Sequence, residues 1–336
     1  MSQATVKNKF LGIREIAQIA GVSTATVSRV INHPEQCSEN TRQKVEEIIR
    51  EYNYVPNETI KHIFSKSSNT IAVFIHDIQN PFYSHLIMEL NSLCFREHYT
   101  LFICDTENDI DKEQAYLESC LAKRCTGIIL TEGVSHQLFN DLDIPIVALD
   151  RKNLNLDVPV VSSENYYIIR KLVSYLCNLG HQKIAFAAPK RDLVSIERRF
   201  KGYQDELEAR NIEPDPEYIF LKSHSLSPTL GREALQHFLS LPEPPTAIIC
   251  ANDMIALGVI NEAALMNIRI PDMLSVCGFD HVIDDYLPTP LTTVEQNIPQ
   301  LALELFQAIV TPEAQPTQAI IESKLILGHT CARVKK

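Results

Sequence analysis

Two sets of residues in this chain have the types and spacing to do chemistry. The first is Thr24, Ala25, Ser28 and Arg29. On a helix these fall outward while Val27, Val30 and Ile31 turn inward. A face that only meets water usually carries more Lys and Glu than this one. Small side chains let a helix sink into a groove, and a guanidinium can donate to a guanine edge or to a phosphate oxygen. The alternative is a generic three-helix module with a solvated outer face. The second set follows the ends of apolar runs: Asp77 to Phe82, Asp150-Arg151, Asn252-Asp253 and Asp280. In open parallel sheets ligands bind beyond the carboxyl ends of the strands, so such residues can converge on a small molecule. Any one of them can equally be polar for solvation alone.

Other chemistries find little support. The sequence has no G-x-G-x-x-G, no G-x-x-x-x-G-K-[ST], no H-E-x-x-H and no G-x-S-x-G, and its ten glycines are few for a phosphate-cradling enzyme. No catalytic residue, cofactor or metal site is expected, and an enzyme reading has nothing to build on. The nine cysteines are odd in number and scattered, with no C-x-x-C, and several sit in apolar runs. They read as reduced, buried thiols of a cytosolic protein rather than disulfides or zinc ligands. His181 reads as a structural turn residue.

The elements that must position these residues are legible in the apolar spacing. Ile13, Ile16, Ala17 and Ala20 give one helical face. Gly21-Val22-Ser23 breaks it, and Ser23 is a good N-cap for a second helix, Thr24 to Ile31. A third helix runs from about Glu39 to Tyr52. Two short helices joined by a tight glycine turn and braced by a third make a helix-turn-helix. Downstream, strands are expected at Ile71–Ile75, Leu101–Cys104, Gly127–Leu130, Ile146–Leu149, Lys183–Ala187, Ala247–Cys250, Val276–Phe279 and Leu291–Val294. Helices are expected at Ser84–His98, Asp111–Lys123, Tyr166–Leu179, Arg198–Arg210, Pro228–Ser240, Met254–Met266 and Pro299–Val310. Alternating β and α with fully apolar strands means parallel, doubly wound sheet, and about 260 residues of it is more than one lobe.

The chain has 336 residues, 45% hydrophobic and 22% charged, which suits two or three folded domains and excludes a largely disordered chain. No run approaches the roughly 20 apolar residues of a membrane helix, and no apolar signal core follows the N-terminal lysines. The net charge of −11 hides an asymmetry. Of 31 basic and 42 acidic residues, 9 and 7 lie in residues 1–66, leaving 22 and 35 for the remainder. A mildly basic head on an acidic body fits a modular nucleic-acid binder.

At this point the residues resemble a known family. Ile13-Arg14-Glu15-Ile16-Ala17, Ala20 to Asn32, Ser38-x-x-Thr41-Arg42-x-x-Val45 and Tyr52-Asn53-Tyr54-Val55-Pro56-Asn57 look like the headpiece of the lactose/galactose repressor (LacI/GalR) family of bacterial transcriptional regulators. The resemblance continues through Asn80-Pro81-Phe82-Tyr83, Ile144 to Arg151, Gly180 to Ala185, Arg199-Phe200-Lys201-Gly202-Tyr203, Asn252 to Gly258, Ser275-Val276-x-Gly278-Phe279-Asp280 and Pro290 to Val294. It covers roughly residues 11 to 330.

The resemblance implies an all-α headpiece at 1–56, a hinge helix and linker at 57–69, and an effector-binding and dimerisation core at 70–336. The core would be a two-lobed, type I periplasmic-binding-protein-like α/β fold. Its first lobe would span about 70–162 plus 296–325 and its second about 163–295. Thr24, Ala25 and Arg29 would read bases, and Ser23, Thr26, Ser28 and Asn32 would hold phosphates. Tyr54, Asn57, Ile60 and Ile63 would also contact DNA. Ile63 stands where the family's minor-groove leucine is usual, and Ile60 where alanine is common. Arg199 and Asp280 would hold the effector, then Asn252, with Asn80, Phe82, Arg151 and Glu164 less firmly placed.

The implied protein is a cytoplasmic homodimer that binds a palindromic double-stranded operator, most simply as a repressor. Its effector would be a small molecule bound between the lobes, a sugar or sugar derivative; a purine or nucleoside effector is the alternative within the family. A cytosolic sensor without a DNA role is the rival outside it. The apolar helix Met254–Met266 is expected at the dimer interface. Six residues follow Thr330 without a leucine heptad, so a dimer is expected rather than a tail-tethered tetramer.

Overall fold

The computed structural model describes residues 11–52, 54, 68–131, 137–139, 142–150, 158–189, 193–222, 226–314 and 317–334. The chain divides into two compact units, Met1–Ser68 and Asn69–Lys336.

The first unit contains α1 (Ile13–Ala20), α2 (Thr24–Asn32) and α3 (Glu39–Glu51). Gly21 ends α1 in the left-handed conformation, with φ of 64°, where a side chain would be strained. The Ser23 hydroxyl accepts from Thr26 N at 3.1 Å and starts α2; Ser38 does the same for α3 through Thr41 N at 3.4 Å. Ile16, Ala17, Ala20, Val27, Val30 and Val45 form the small core that this spacing foretold, and Tyr54 closes it.

The second unit holds two parallel sheets. The first has six strands, in the order β11-β5-β4-β3-β1-β2. They are β1 (Thr70–Ile75), β2 (Thr100–Asp105), β3 (Gly127–Leu130), β4 (Ile146–Leu149), β5 (Val160–Ser163) and β11 (Gln318–Ile321). The second has the order β7-β6-β8-β9: β6 (Ile184–Ala188), β7 (Ile219–Leu221), β8 (Ala247–Cys250) and β9 (Ser275–Cys277). Strands β3, β4, β6, β8 and β9 are buried at every residue, as parallel strands covered on both faces must be.

Around the first sheet lie α4 (Pro81–Arg96), α5 (Ile110–Ala122) and α10 (Ile298–Val310). Around the second lie α6 (Asn165–Asn178), α7 (Val194–Ala209), α8 (Pro228–Leu239) and α9 (Asp253–Leu265). The chain passes between the lobes at three places: after β5, between β10 (Thr293–Glu295) and α10, and between β11 and β12 (Lys324–Ile326). Pairing is not wholly parallel. β10 and β12 run antiparallel, Val294 opposite Leu325, and tie two of the crossings together.

Helices α8 and α9 touch through glycines. A Cβ on Gly231 would lie 2.0 Å from Ile255 O, and one on Gly258 would lie 2.0 Å from Pro228 O. Backbone cannot retreat as a flexible side chain can. Gly258→Ala is therefore expected to cost ~3 kcal/mol, read as a lowered urea midpoint. A wild-type midpoint would show that the helices do not meet there.

Candidate functional site

Between the strand ends of the two lobes lies a partly open cavity. It is lined by Asn80, Phe82, Tyr83, Leu149, Asp150, Ser195, Ile196, Arg199, Leu226, Asn252, Asp280 and Gln296. Five of the seven expected effector residues are thus brought together: Asn80, Phe82, Arg199, Asn252 and Asp280. Glu164 is not among the lining residues. It precedes α6, its backbone N–H donates to Ile321 O at 2.9 Å, and its buried Oε2 meets no hydrogen-bond partner among the described residues. Arg151 lies outside the described residues.

Arg199 is the centre of the site. It projects from α7, is 5% exposed, and stacks its guanidinium 3.5 Å from the centre of the Phe279 ring. Its Nε donates to Asn165 Oδ1 at 2.7 Å and one terminal nitrogen donates to Ala251 O at 2.6 Å. Asn165 in turn donates to Asp150 Oδ1 at 3.0 Å and to Ser163 O at 3.1 Å. Ser163 donates its hydroxyl to Gln296 Oε1 at 2.5 Å, and the Gln296 amide donates to Asp280 Oδ1. One connected set of bonds therefore runs from the first crossing (Ser163, Asn165), through the second (Gln296), to the strand end that carries Asp280.

Several predicted residues have structural duties as well. Asn80 Oδ1 caps α4 by accepting from Phe82 N at 3.1 Å, and Asn252 Oδ1 caps α9 by accepting from Ile255 N at 2.9 Å. The caps fix both side chains at the cavity wall and aim two helix N-termini towards it, favouring oxygen-rich groups there.

The carboxylates are held away from their ordinary state. Burial pushes Asp280 up to about 7, against the pull of Arg199 and the Gln296 amide. Burial pushes Asp150 up to about 6, with Arg199 and the Ser163 N–H pulling it back. Just behind them burial, then the charge of Asp280, pushes Asp253 up to about 8; it accepts from Thr293 Oγ1 at 2.5 Å and Val282 N at 2.8 Å. Asp150 and Asp280 also adopt positive φ, 54° and 121°, a strain that the surrounding bonds sustain. The site can thus offer a clamped guanidinium, carboxyl oxygens, amides, a Ser195 hydroxyl and the rings of Phe82 and Tyr83. This suits a polar, hydroxyl-bearing ligand.

Asp150 was among the strand-end residues marked out by the sequence, though not among the residues the resemblance implied; Ser195, Gln296 and the bridging Asn165 were not singled out at all. Gln296 and Asn165 lie on interlobe crossings, which short-range periodicity does not reveal.

In the headpiece, Ser23, Thr24, Ala25 and Arg29 are exposed, while Thr26 and Ser28 are half-buried. The Ser23 and Thr26 hydroxyls pair at 2.8 Å. Asn32 ends α2. Tyr54 is 8% exposed and packs in the headpiece core rather than on its surface. Asn57, Ile60 and Ile63 lie outside the described residues.

A two-lobed parallel α/β core with a cavity at its strand ends, joined in one chain to a helix-turn-helix, defines a ligand-binding regulator with a nucleic-acid-binding head. Residues 12–57 match the model for bacterial regulatory proteins of the lacI family, and residues 173–331 match a periplasmic binding protein-like domain. The HTH-type transcriptional repressor PurR of Mannheimia succiniciproducens is 30% identical over 96% of this chain and 99% of its own. The Lac repressor bound to ONPG in its repressed state has a TM-score of 0.83 at 26% identity, covering 96% of this chain and all of that one. A LacI-type regulator from Alkaliphilus metalliredigens complexed with D-xylulofuranose has a TM-score of 0.70 at 28% identity, over 79% and 99%. The chain belongs to the LacI family and is a DNA-binding regulatory protein with an effector-binding core. Among the described residues no helix is long and apolar enough to cross a membrane.

The raised carboxyls carry a pH signature. Asp280 ordinarily titrates near 3.8, so between about pH 4 and pH 7 the folded state keeps a proton that the unfolded chain releases. Its contribution to stability is full below the unfolded value and is lost as pH rises through the folded one. Asp280→Asn should flatten the fall in Tm between about pH 4 and about pH 7. An unchanged slope would mean that Asp280 is already ionised throughout.

Proposed function

We propose that this protein is a homodimeric transcriptional repressor whose operator affinity is set by an uncatalysed binding event: a sugar or sugar derivative entering the cavity around Arg199 and Asp280. The observation that carries this reading is the buried, hydrogen-bonded Arg199 facing two carboxyl groups at strand ends, in a chain that also carries an exposed Thr24-Ala25-Arg29 face. Each copy of α2 would enter the major groove of one operator half-site, with Arg29 reading a base. The effector acts by binding two lobe arrangements unequally, so it changes operator affinity by that difference. The chemistry is one of recognition, without covalent change to the ligand.

The sugar reading draws on the D-xylulofuranose-bound relative and on the donor set of the cavity. A dimer is supported by apolar side chains left in solvent: Phe95 on α4 is 81% exposed and Leu265 at the end of α9 is 78% exposed, with Met88, Ile103 and Met266 also outside.

Gel shift on the DNA upstream of the protein's own coding sequence tests the head. Arg29→Ala should weaken specific binding by about 1–3 kcal/mol while leaving binding to random DNA nearly unchanged. Equal loss on every sequence would reduce Arg29 to a phosphate contact.

A thermal-shift screen with sugars, sugar phosphates, uronates and nucleosides tests the core. A true effector at 100 times its Kd should add about 2.7 kcal/mol of stability, and Arg199→Ala should abolish that gain. A gain that survives in Arg199→Ala would place the effector elsewhere, and a response to nucleosides alone would replace the sugar.

A further inference from the structure

Outside the cavity, two thiols of the second lobe lie against one another. Cys277 is the last residue of β9 and is wholly buried; Cys331 lies on the C-terminal segment that returns to the second lobe and is partly exposed. Their sulfurs are 3.3 Å apart.

The approach is imposed by the backbone on either side of it. Val276 N donates to Thr330 O at 2.9 Å, the Thr330 hydroxyl donates to Val276 O at 2.6 Å, and Ala332 N donates to Ser275 Oγ at 3.1 Å. These bonds hold the two segments in register, so the thiols meet without a conformational search. Bonding would require the sulfurs to close by only roughly 1.3 Å.

We propose that Cys277 and Cys331 are a peroxide-sensitive pair that forms a reversible disulfide. Cys331 is the attacking sulfur, because it is the less buried residue of the two. A hydrogen bond from Cys277 holds the Cys331 thiol below the usual thiol range, against its own burial, with help from Thr292 and Thr330. Burial holds Cys277 well above that range, as suits a resolving thiol that stays protonated until it is used.

The Cys331 thiolate attacks one oxygen of hydrogen peroxide. The O–O bond breaks, hydroxide leaves and takes up a proton as water, and Cys331 becomes a sulfenic acid. The Cys277 sulfur then attacks the Cys331 sulfur. The S–O bond breaks, and the hydroxyl leaves with the Cys277 proton as a second water. Two thiols and one peroxide thus yield a disulfide and two waters, with two electrons passing from sulfur to oxygen. The bond would tie the C-terminal segment to the start of Cys277-Gly278-Phe279-Asp280, the turn that carries the ring beneath Arg199 and a cavity carboxylate.

The test is thiol mapping on the full chain. After a few equivalents of hydrogen peroxide, alkylation with iodoacetamide and peptide mass analysis should show two of the nine thiols lost. They should be found in one linkage between the Cys277 and Cys331 peptides, reversed by dithiothreitol. In Cys277→Ala, Cys331 should instead accumulate as a sulfenic acid trapped by dimedone. Wild-type protein that keeps all nine thiols, or links other cysteines, overturns the proposal. So does a Cys277→Ala variant whose dimedone adduct sits elsewhere. The wild-type map decides even where that variant folds poorly.

Discussion

A buried guanidinium is the constraint around which the core is arranged. Taking Arg199 out of water costs several kcal/mol unless its charge and its N–H groups find partners. The fold supplies them from different places in the chain: an amide at the start of α6, a carbonyl just after β8, an aromatic ring just after β9 and two carboxyl groups at strand ends. No single element could do this. The partners converge because parallel strands deliver their carboxyl ends to one edge, and two sheets facing each other deliver two such edges. The cavity is what remains between them.

The same constraint explains why the carboxyls sit where they do. Asp150 and Asp280 are pushed up by burial and pulled back by the one cation they share. Neither is free to take an independent ionisation, since each alters the field at the guanidinium. Their positive φ angles belong to this arrangement: an ordinary turn would aim the side chains elsewhere, and the strain persists because hydrogen bonds from Ser163, Asn165 and Gln296 over-determine the geometry.

Much of the fold was legible because it rests on local physics. Ser23, Gly21 and the Ile16, Ala17, Ala20 spacing fixed the headpiece helices almost to the residue, and the runs at Gly127–Leu130, Ile146–Leu149 and Ala247–Cys250 are strands with those bounds. The strands left unread were β5, β7, β11 and β12. They are three or four residues long, and three of them, β7, β11 and β12, are sheet edges, where a short run is paired on one side only and has no need to be apolar throughout. The site divides the same way. Residues that follow a strong strand, such as Asp280 and Asn252, announced themselves. Gln296 and Asn165 did not, because their importance comes from crossings between lobes. Tyr54, a DNA contact by resemblance alone, packs in the headpiece core, because the three short helices have too little apolar volume to leave it outside.

The crossings also set what a ligand must do to be felt elsewhere. Ser163, Asn165 and Gln296 belong to the segments about which the lobes can turn, and the same residues hold Asp150 and Asp280 at the cavity. A ligand hydroxyl that donates to Asp280 competes with the Gln296 amide for the same carboxylate. Its binding free energy then includes the cost of re-pairing Gln296 and, through Ser163, of adjusting the first crossing. Such a cost shifts the equilibrium only to the extent that it differs between lobe arrangements. A ligand that bound both arrangements equally would shift nothing, however tightly it bound. On the proposed reading, effector strength is therefore decided by hydrogen bonding at Asp280 and Arg199 more than by the apolar surface buried.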